Sequence, residues 1–182
     1  MESQDIPGGF AYYVWPNPAH SDAEELKLTY VLKVDEELWL AAGAYLTVHT
    51  PIFSNESRED LVAYVEGARD FALNTTQEEA LSAFNDINGN YVEGNRYIIA
   101  YDFAGNCLAH PIKQEVVGTN RINVSDPNGI EEVRDMIVLA QNGEGFTYYL
   151  YPDPAKNMTL GFKLTYVMKV DDTWLLGAGI YA

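Results

Sequence analysis

Hydrophobic and polar positions alternate along residues 9–45 in three separate runs. Phe10, Tyr12 and Val14 interleave with Ala11, Tyr13 and Trp15 until Pro16 and Pro18 stop the run. Residues 26–34 place Leu28, Tyr30, Leu32 and Val34 on one face and Lys27, Thr29, Val31 and Lys33 on the other. An acidic turn, Asp35, Glu36 and Glu37, leads into a third run at 38–46. A period of two bounded by turn residues predicts strands, here a three-stranded antiparallel meander whose edge is open to pairing. The same text returns at the end of the chain. Shifted by 136 positions (145 − 9), residues 145–181 match residues 9–45 at 19 of 37 places without a gap. The chain therefore reads as a 136-residue period sampled about one and a third times, with the first copy the closing part of a unit.

Between the copies the period changes to that of a helix. Ser57 and Asp60 resemble a capping box, and Leu61, Tyr64, Val65, Ala68, Phe71 and Ala72 follow at helical spacing. Thr76 and Glu79 restart a shorter helix through Phe84. Residues 97–103 and 106–111 form a hairpin around Ala104-Gly105. A loop over 112–126 precedes a helix at 130–142, capped by Asp126 or Asn128, with Val133, Met136, Ile137 and Ala140 inward. The order predicts an α+β fold: five antiparallel strands with helices segregated to the faces. Its divisions are a partial repeat at 1–46, a linker at 47–56 and a complete domain at 57–182.

Composition narrows the partners. A formal charge of −16 over 182 residues argues against nucleic acid or an anionic membrane surface. The single cysteine, Cys107, excludes an internal disulfide and a multi-thiolate zinc site. No run approaches the roughly 20 apolar residues of a membrane span, and the opening lacks the regions of a secretory signal. The polar loop at 85–94 and the Asp126-Pro127-Asn128-Gly129 turn both fail as calcium loops, because Phe84 and Val124 stand where an oxygen ligand is required. Three histidines, His20, His49 and His110, form no nucleophile–base arrangement, and the common metal, nucleotide and cofactor motifs are missing. These readings point to no catalysis, no metal and no cofactor.

The segments YIIAYDFAGNCLAHP, VGTN, SDPNG, NGEGFTYYLYPDP, FKLTYV and WLLGAGIY, in that order, resemble the signatures of the Cache sensory family, in particular its single-Cache type 2 form, over residues 57–182. The 9–45 segment resembles only the closing part of such a domain. The resemblance implies a PAS-like sheet with a long N-terminal helix and a helix-bearing loop over one face. It further implies an extracytoplasmic module that binds a small metabolite, a short carboxylate or an amino acid, for signal transduction.

A small anion needs a few convergent donors in an aromatic setting. In this basic-poor chain the candidate donors are His110, Arg121 and Lys163. Lys163 recurs as Lys27 in the first copy; the bland alternative is an edge-strand lysine that blocks aggregation. Tyr149 and Tyr151 share a strand face with Thr147, and Tyr101 lies in the first strand of the preceding hairpin. Buried tyrosine hydroxyls there need partners, which a carboxylate supplies. Asp102 is the residue placed to hold a ligand amine, though its place beside a glycine turn suits a turn residue better. The rival expectation is a structural module that stacks or exchanges strands, with a homodimer through 1–46.

Overall fold

The computed structural model describes residues 8–35, 37–46 and 53–182, with the side chains of Asn55 and Glu56 excepted. Most of the expected linker, with His49, lies outside the described residues. The first alternating run gives β1 (Gly8–Asn17), β2 (Ala23–Lys33) and β3 (Trp39–Tyr45), an antiparallel sheet in that order. The helical spacing that follows gives α1 (Asn55–Asn74) and α2 (Gln77–Asn85). The remaining elements are β4 (Val92–Glu93), β5 (Arg96–Asp102), β6 (Cys107–Ala109), α3 (Glu132–Gln141), β7 (Glu144–Asp153), β8 (Thr159–Lys169) and β9 (Trp174–Tyr181).

The second sheet runs β4-β5-β9-β8-β7, with β6 paired to β5. It has six strands rather than the expected five. The extra strand, Val92–Glu93, spans two residues in the polar loop and carries no alternation to betray it. Both faces are covered, so β5 is buried along its length. Ile98 and Ala100 face Leu61, Val65, Ala68 and Ala72 of α1 and Phe84 of α2. Tyr97, Ile99 and Tyr101 face Val133, Met136, Ile137 and Ala140 of α3.

Caps account for most boundary differences. Ser54, not Ser57, caps α1: its side chain accepts from the Ser57 N–H at 3.0 Å, so the expected cap sits inside the first turn. Thr76 and Glu79, expected to restart the helix, do so as a reciprocal capping box at the start of α2. Neither Asp126 nor Asn128 caps α3, which starts without a side-chain cap. Asp126 instead accepts from the Asn128 and Ile130 N–H groups at 2.8 and 3.0 Å, and from the Leu150 N–H at 2.9 Å, tying the loop to β7.

The register of β1–β2–β3 is that of β7–β8–β9 displaced by 136: Lys27 opposes Tyr45 as Lys163 opposes Tyr181. Thr29 donates to Tyr13 at 2.9 Å where Tyr149 and Thr165 lie 2.8 Å apart. The β1–β3 sheet is also not free-standing. Tyr12 and Leu26 are buried in the α3-side core, Tyr12 meets Phe162 edge-on at 5.4 Å, and Asn128 Nδ2 donates to the Tyr12 hydroxyl.

Candidate functional site

Strand register builds the site around Lys163. In β8 it stands opposite Tyr149 of β7 and Tyr181 of β9, so its side chain leaves an interior strand on the α3 side. This rules out the edge-lysine reading, since β8 is paired on both sides. Room for the amine stem comes from Gly179: a Cβ there would collide with Lys163 Cε and Thr165 Oγ1.

Lys163 is 1% exposed. Its Nζ donates to the Tyr97 hydroxyl at 3.0 Å and lies 4.2, 5.0 and 5.3 Å from the ring centres of Tyr97, Tyr181 and Tyr151. The Tyr181 hydroxyl donates to the Pro152 carbonyl at 2.8 Å. Among the described residues no carboxylate comes within ion-pair distance of the ammonium. Burial pushes its pKa from 10.5 down to about 7, against the pull of Asp153 and with the push of Lys113. Rings supply some compensation, but the protonated amine keeps two N–H bonds without a partner among the described residues.

His110 is anchored beside it. Its N–H donates to Asn85 Oδ1 at 3.0 Å, and its Nδ1 accepts from the Lys113 N–H at 3.1 Å. That acceptor role assigns the neutral imidazole's proton to Nε2, which donates to the Tyr151 hydroxyl at 3.1 Å. The Tyr151 O–H proton is then available to another acceptor. Burial first, then the charges of Lys163 and Lys113, lowers the His110 pKa to about 3, so the ring stays neutral.

Tyr149 is buried against Thr165 and meets Tyr151 edge-on at 5.8 Å. Tyr101 is buried next to Cys107, whose thiol is pushed up to about 11 chiefly by burial. Arg121 is half-buried, its N–H donating to the Gly105 carbonyl at 2.8 Å, and its charge acts on Tyr101, Tyr151 and Glu132. The six residues singled out from sequence thus lie on one side of the sheet. Lys163 is level with Tyr149 in the register, Tyr151 lies one pair further on beside His110, and Tyr101 sits toward the opposite end, where the Arg121 charge acts on it. Asp102 does not join them: it accepts from Ala104 N, Asn106 N and Asn106 Nδ2 at 2.7–2.9 Å and is a turn residue.

Sequence reasoning missed Tyr97, Tyr181, Lys113 and Glu132. Tyr97 shares the face of Tyr101 four residues on, and the Lys27–Tyr45 spacing repeated in Lys163–Tyr181 was a legible signal for Tyr181. Lys113 lies 4.4 Å over the Tyr151 ring, and nothing in its loop marks it.

A Cache domain model matches residues 2–182, extending past the 57–182 covered by the sequence resemblance. The sensor histidine kinase MctS of Rhizobium johnstonii is 30% identical over 86 residues, 47% of this chain, which spans only 18% of that kinase's length. A methyl-accepting chemotaxis protein from Vibrio parahaemolyticus superposes with a TM-score of 0.62 at 25% identity, over 70% of this chain and 89% of that one. A Cache chemosensory domain studied for carboxylic acid recognition superposes at 0.53 with 22% identity, over 70% of this chain and 87% of its own, a likeness of fold. The α+β layers and the buried polar cluster agree with the family match over nearly the whole chain: the chain belongs to the Cache domain family of sensory modules.

Proposed function

We propose that this Cache domain binds a small organic acid through Lys163, with Tyr97, Tyr151 and His110 around the guest's carboxylate and Arg121 closing over it from the 112–126 loop. The observation that carries the reading is the Lys163 amine, fully buried among three tyrosine rings with one hydrogen bond and, among the described residues, no carboxylate within ion-pair distance. A carboxylate completes such a site, taking charge-assisted hydrogen bonds from the free N–H bonds and from the Tyr151 hydroxyl. The carboxylic acid recognised by the structurally similar chemosensory domain supports the same ligand class. Titration calorimetry and thermal shift against short carboxylates and amino acids test it. A ligand is expected to raise the melting temperature, and Lys163→Met is expected to abolish binding in a folded protein; unchanged affinity in that variant overturns the reading.

The setting we propose is extracytoplasmic, as the ligand-sensing part of a longer signalling protein with residues 57–182 as the complete unit. No described helix is long and apolar enough to cross a membrane. Association of two copies through the first sheet is a second reading, favoured by Trp15, Trp39 and Leu40, each more than half exposed on that sheet. Light scattering decides it: a monomer at high concentration removes the dimer and leaves the ligand site untouched.

A further inference from the structure

Sheet edges are normally blunted by a charge, a proline or a bulge, and β3 has none of these. Its residues, Trp39-Leu40-Ala41-Ala42-Gly43-Ala44-Tyr45, pair with β2 in unbroken register and are exposed from Trp39 to Ala44. The internal repeat shows what an edge of this kind receives. Its counterpart β9, 136 residues on, pairs with β8 as β3 pairs with β2. On its other side β9 takes β5 antiparallel, with Tyr101 opposite Leu175 and Ile99 opposite Gly177. Among the described residues, the edge that is filled in the second copy carries no strand in the first.

Hydrogen bonding fixes which groups β3 presents. The Val34 N–H donates to the Leu38 carbonyl at 2.8 Å and the Leu46 N–H to the Leu26 carbonyl at 3.0 Å. Alternation along an antiparallel strand therefore turns the main-chain groups of Leu40, Ala42 and Ala44 toward β2, and those of Trp39, Ala41, Gly43 and Tyr45 outward. Two such strands related by a two-fold axis at Ala42 set Trp39 of one against Tyr45 of the other, and Ala41 against Gly43. Outward groups then meet outward groups along the whole strand. No like charges are opposed, an aromatic pair closes each end, and small residues fill the centre. We infer that β3 pairs with β3 of a second copy in this register, joining two three-stranded sheets into one of six strands. The inference deepens the reading of association through the first sheet given above and rests on it.

Light scattering of wild type from about 1 μM to about 500 μM is expected to show a concentration-dependent dimer. Ala41→Pro removes an outward N–H and no bond to β2, at an edge position that tolerates proline. It is expected to weaken association about a hundredfold, since each dimer loses two hydrogen bonds. Ala42→Cys meets its own symmetry mate at a non-hydrogen-bonded pair, with Cα atoms about 4.5 Å apart, and is expected to give a disulfide-linked dimer on mild oxidation. Leu40→Cys, four residues out of line with its mate, is not; the native Cys107 is buried. A wild type that is monomeric throughout overturns both the inference and association through the first sheet. A dimer left intact by Ala41→Pro, or a disulfide at Leu40→Cys and not at Ala42→Cys, overturns the β3 pairing and leaves association through the exposed face of the sheet standing. The cysteine pair decides the register even where Ala41→Pro fails to fold.

Discussion

Replacing Lys163 by methionine is expected to stabilise the protein while destroying its proposed function. The folded-state pKa of about 7 lies below the ordinary 10.5, because burial penalises the charged form. Between those values the unfolded chain binds more protons than the folded one, so the penalty is largest below pH 7 and shrinks as pH rises toward 10.5. Integrated, holding the lysine buried costs about 4 kcal/mol at pH 7 and about 2 kcal/mol at pH 9. Methionine fills the same space without the titration but forfeits the hydrogen bond to Tyr97, worth about 1–2 kcal/mol. The variant should therefore be more stable than wild type by about 2–3 kcal/mol at pH 7, and nearly equal to it at pH 9. For a domain of this size that is roughly 5–10 °C in melting temperature at pH 7. Urea unfolding of both proteins at the two pH values, at one ionic strength, measures the difference and cancels the titration of the many tyrosines they share. A Lys163→Met variant less stable than wild type at pH 7, or a difference independent of pH, would show that the amine is solvated or paired and would refute the reasoning.

Gly179→Ala should push its new Cβ into Lys163 Cε and the Leu164 carbonyl, costing about 1–3 kcal/mol in urea unfolding and abolishing acid binding by calorimetry without touching any charge. Asp126→Ala removes the acceptor of three backbone N–H groups and should cost about 3 kcal/mol or more, with faster hydrogen exchange at Leu150 as its local mark. His110, held neutral with a pKa near 3 by burial and then by Lys163 and Lys113, should keep its Nε2 proton in nitrogen-15 spectra from pH 8 to pH 5. Because its folded value lies below the unfolded one, stability should fall as pH drops below about 6.5, and His110→Gln should lose that part of the slope.

The α+β class, the three-stranded meander and the faces of β7 and β8 were legible because a buried two-faced sheet forces a period of two on the sequence. The internal repeat pointed to position 163 through Lys27, but repetition alone does not mark burial: Lys33 and Lys169 recur as well, and they, like Lys27, are only half-buried. What escaped were features set by tertiary placement. Ser54 and Ser57 are both acceptable caps, and only the entry direction of the chain decides between them. Asp126 has the sequence context of a helix cap, yet Leu150, 24 residues later, recruits its second oxygen. Glu132 looks like a first-turn acid favouring a helix dipole on a solvated face; it is instead 5% exposed, a burial that no local pattern encodes.

The 112–131 segment also joins the site to the first sheet by continuous bonds. Leu150 lies between Tyr149 and Tyr151 and donates to Asp126; Asp126 holds the Asn128 N–H; the Asn128 amide donates to Tyr12 of β1. The same turn ends at Ile130, buried two residues before Glu132. A guest held by Lys163 and Tyr151, as proposed, therefore acts on a strand bonded in series to β1, and Tyr12 is buried at the far end rather than left loose in water. Bonds in series transmit nothing unless the guest prefers one arrangement of them. On the proposed reading the preference has one physical source: a carboxylate that pairs with the buried Lys163 amine also engages Tyr151, which is bonded along β7 to Leu150.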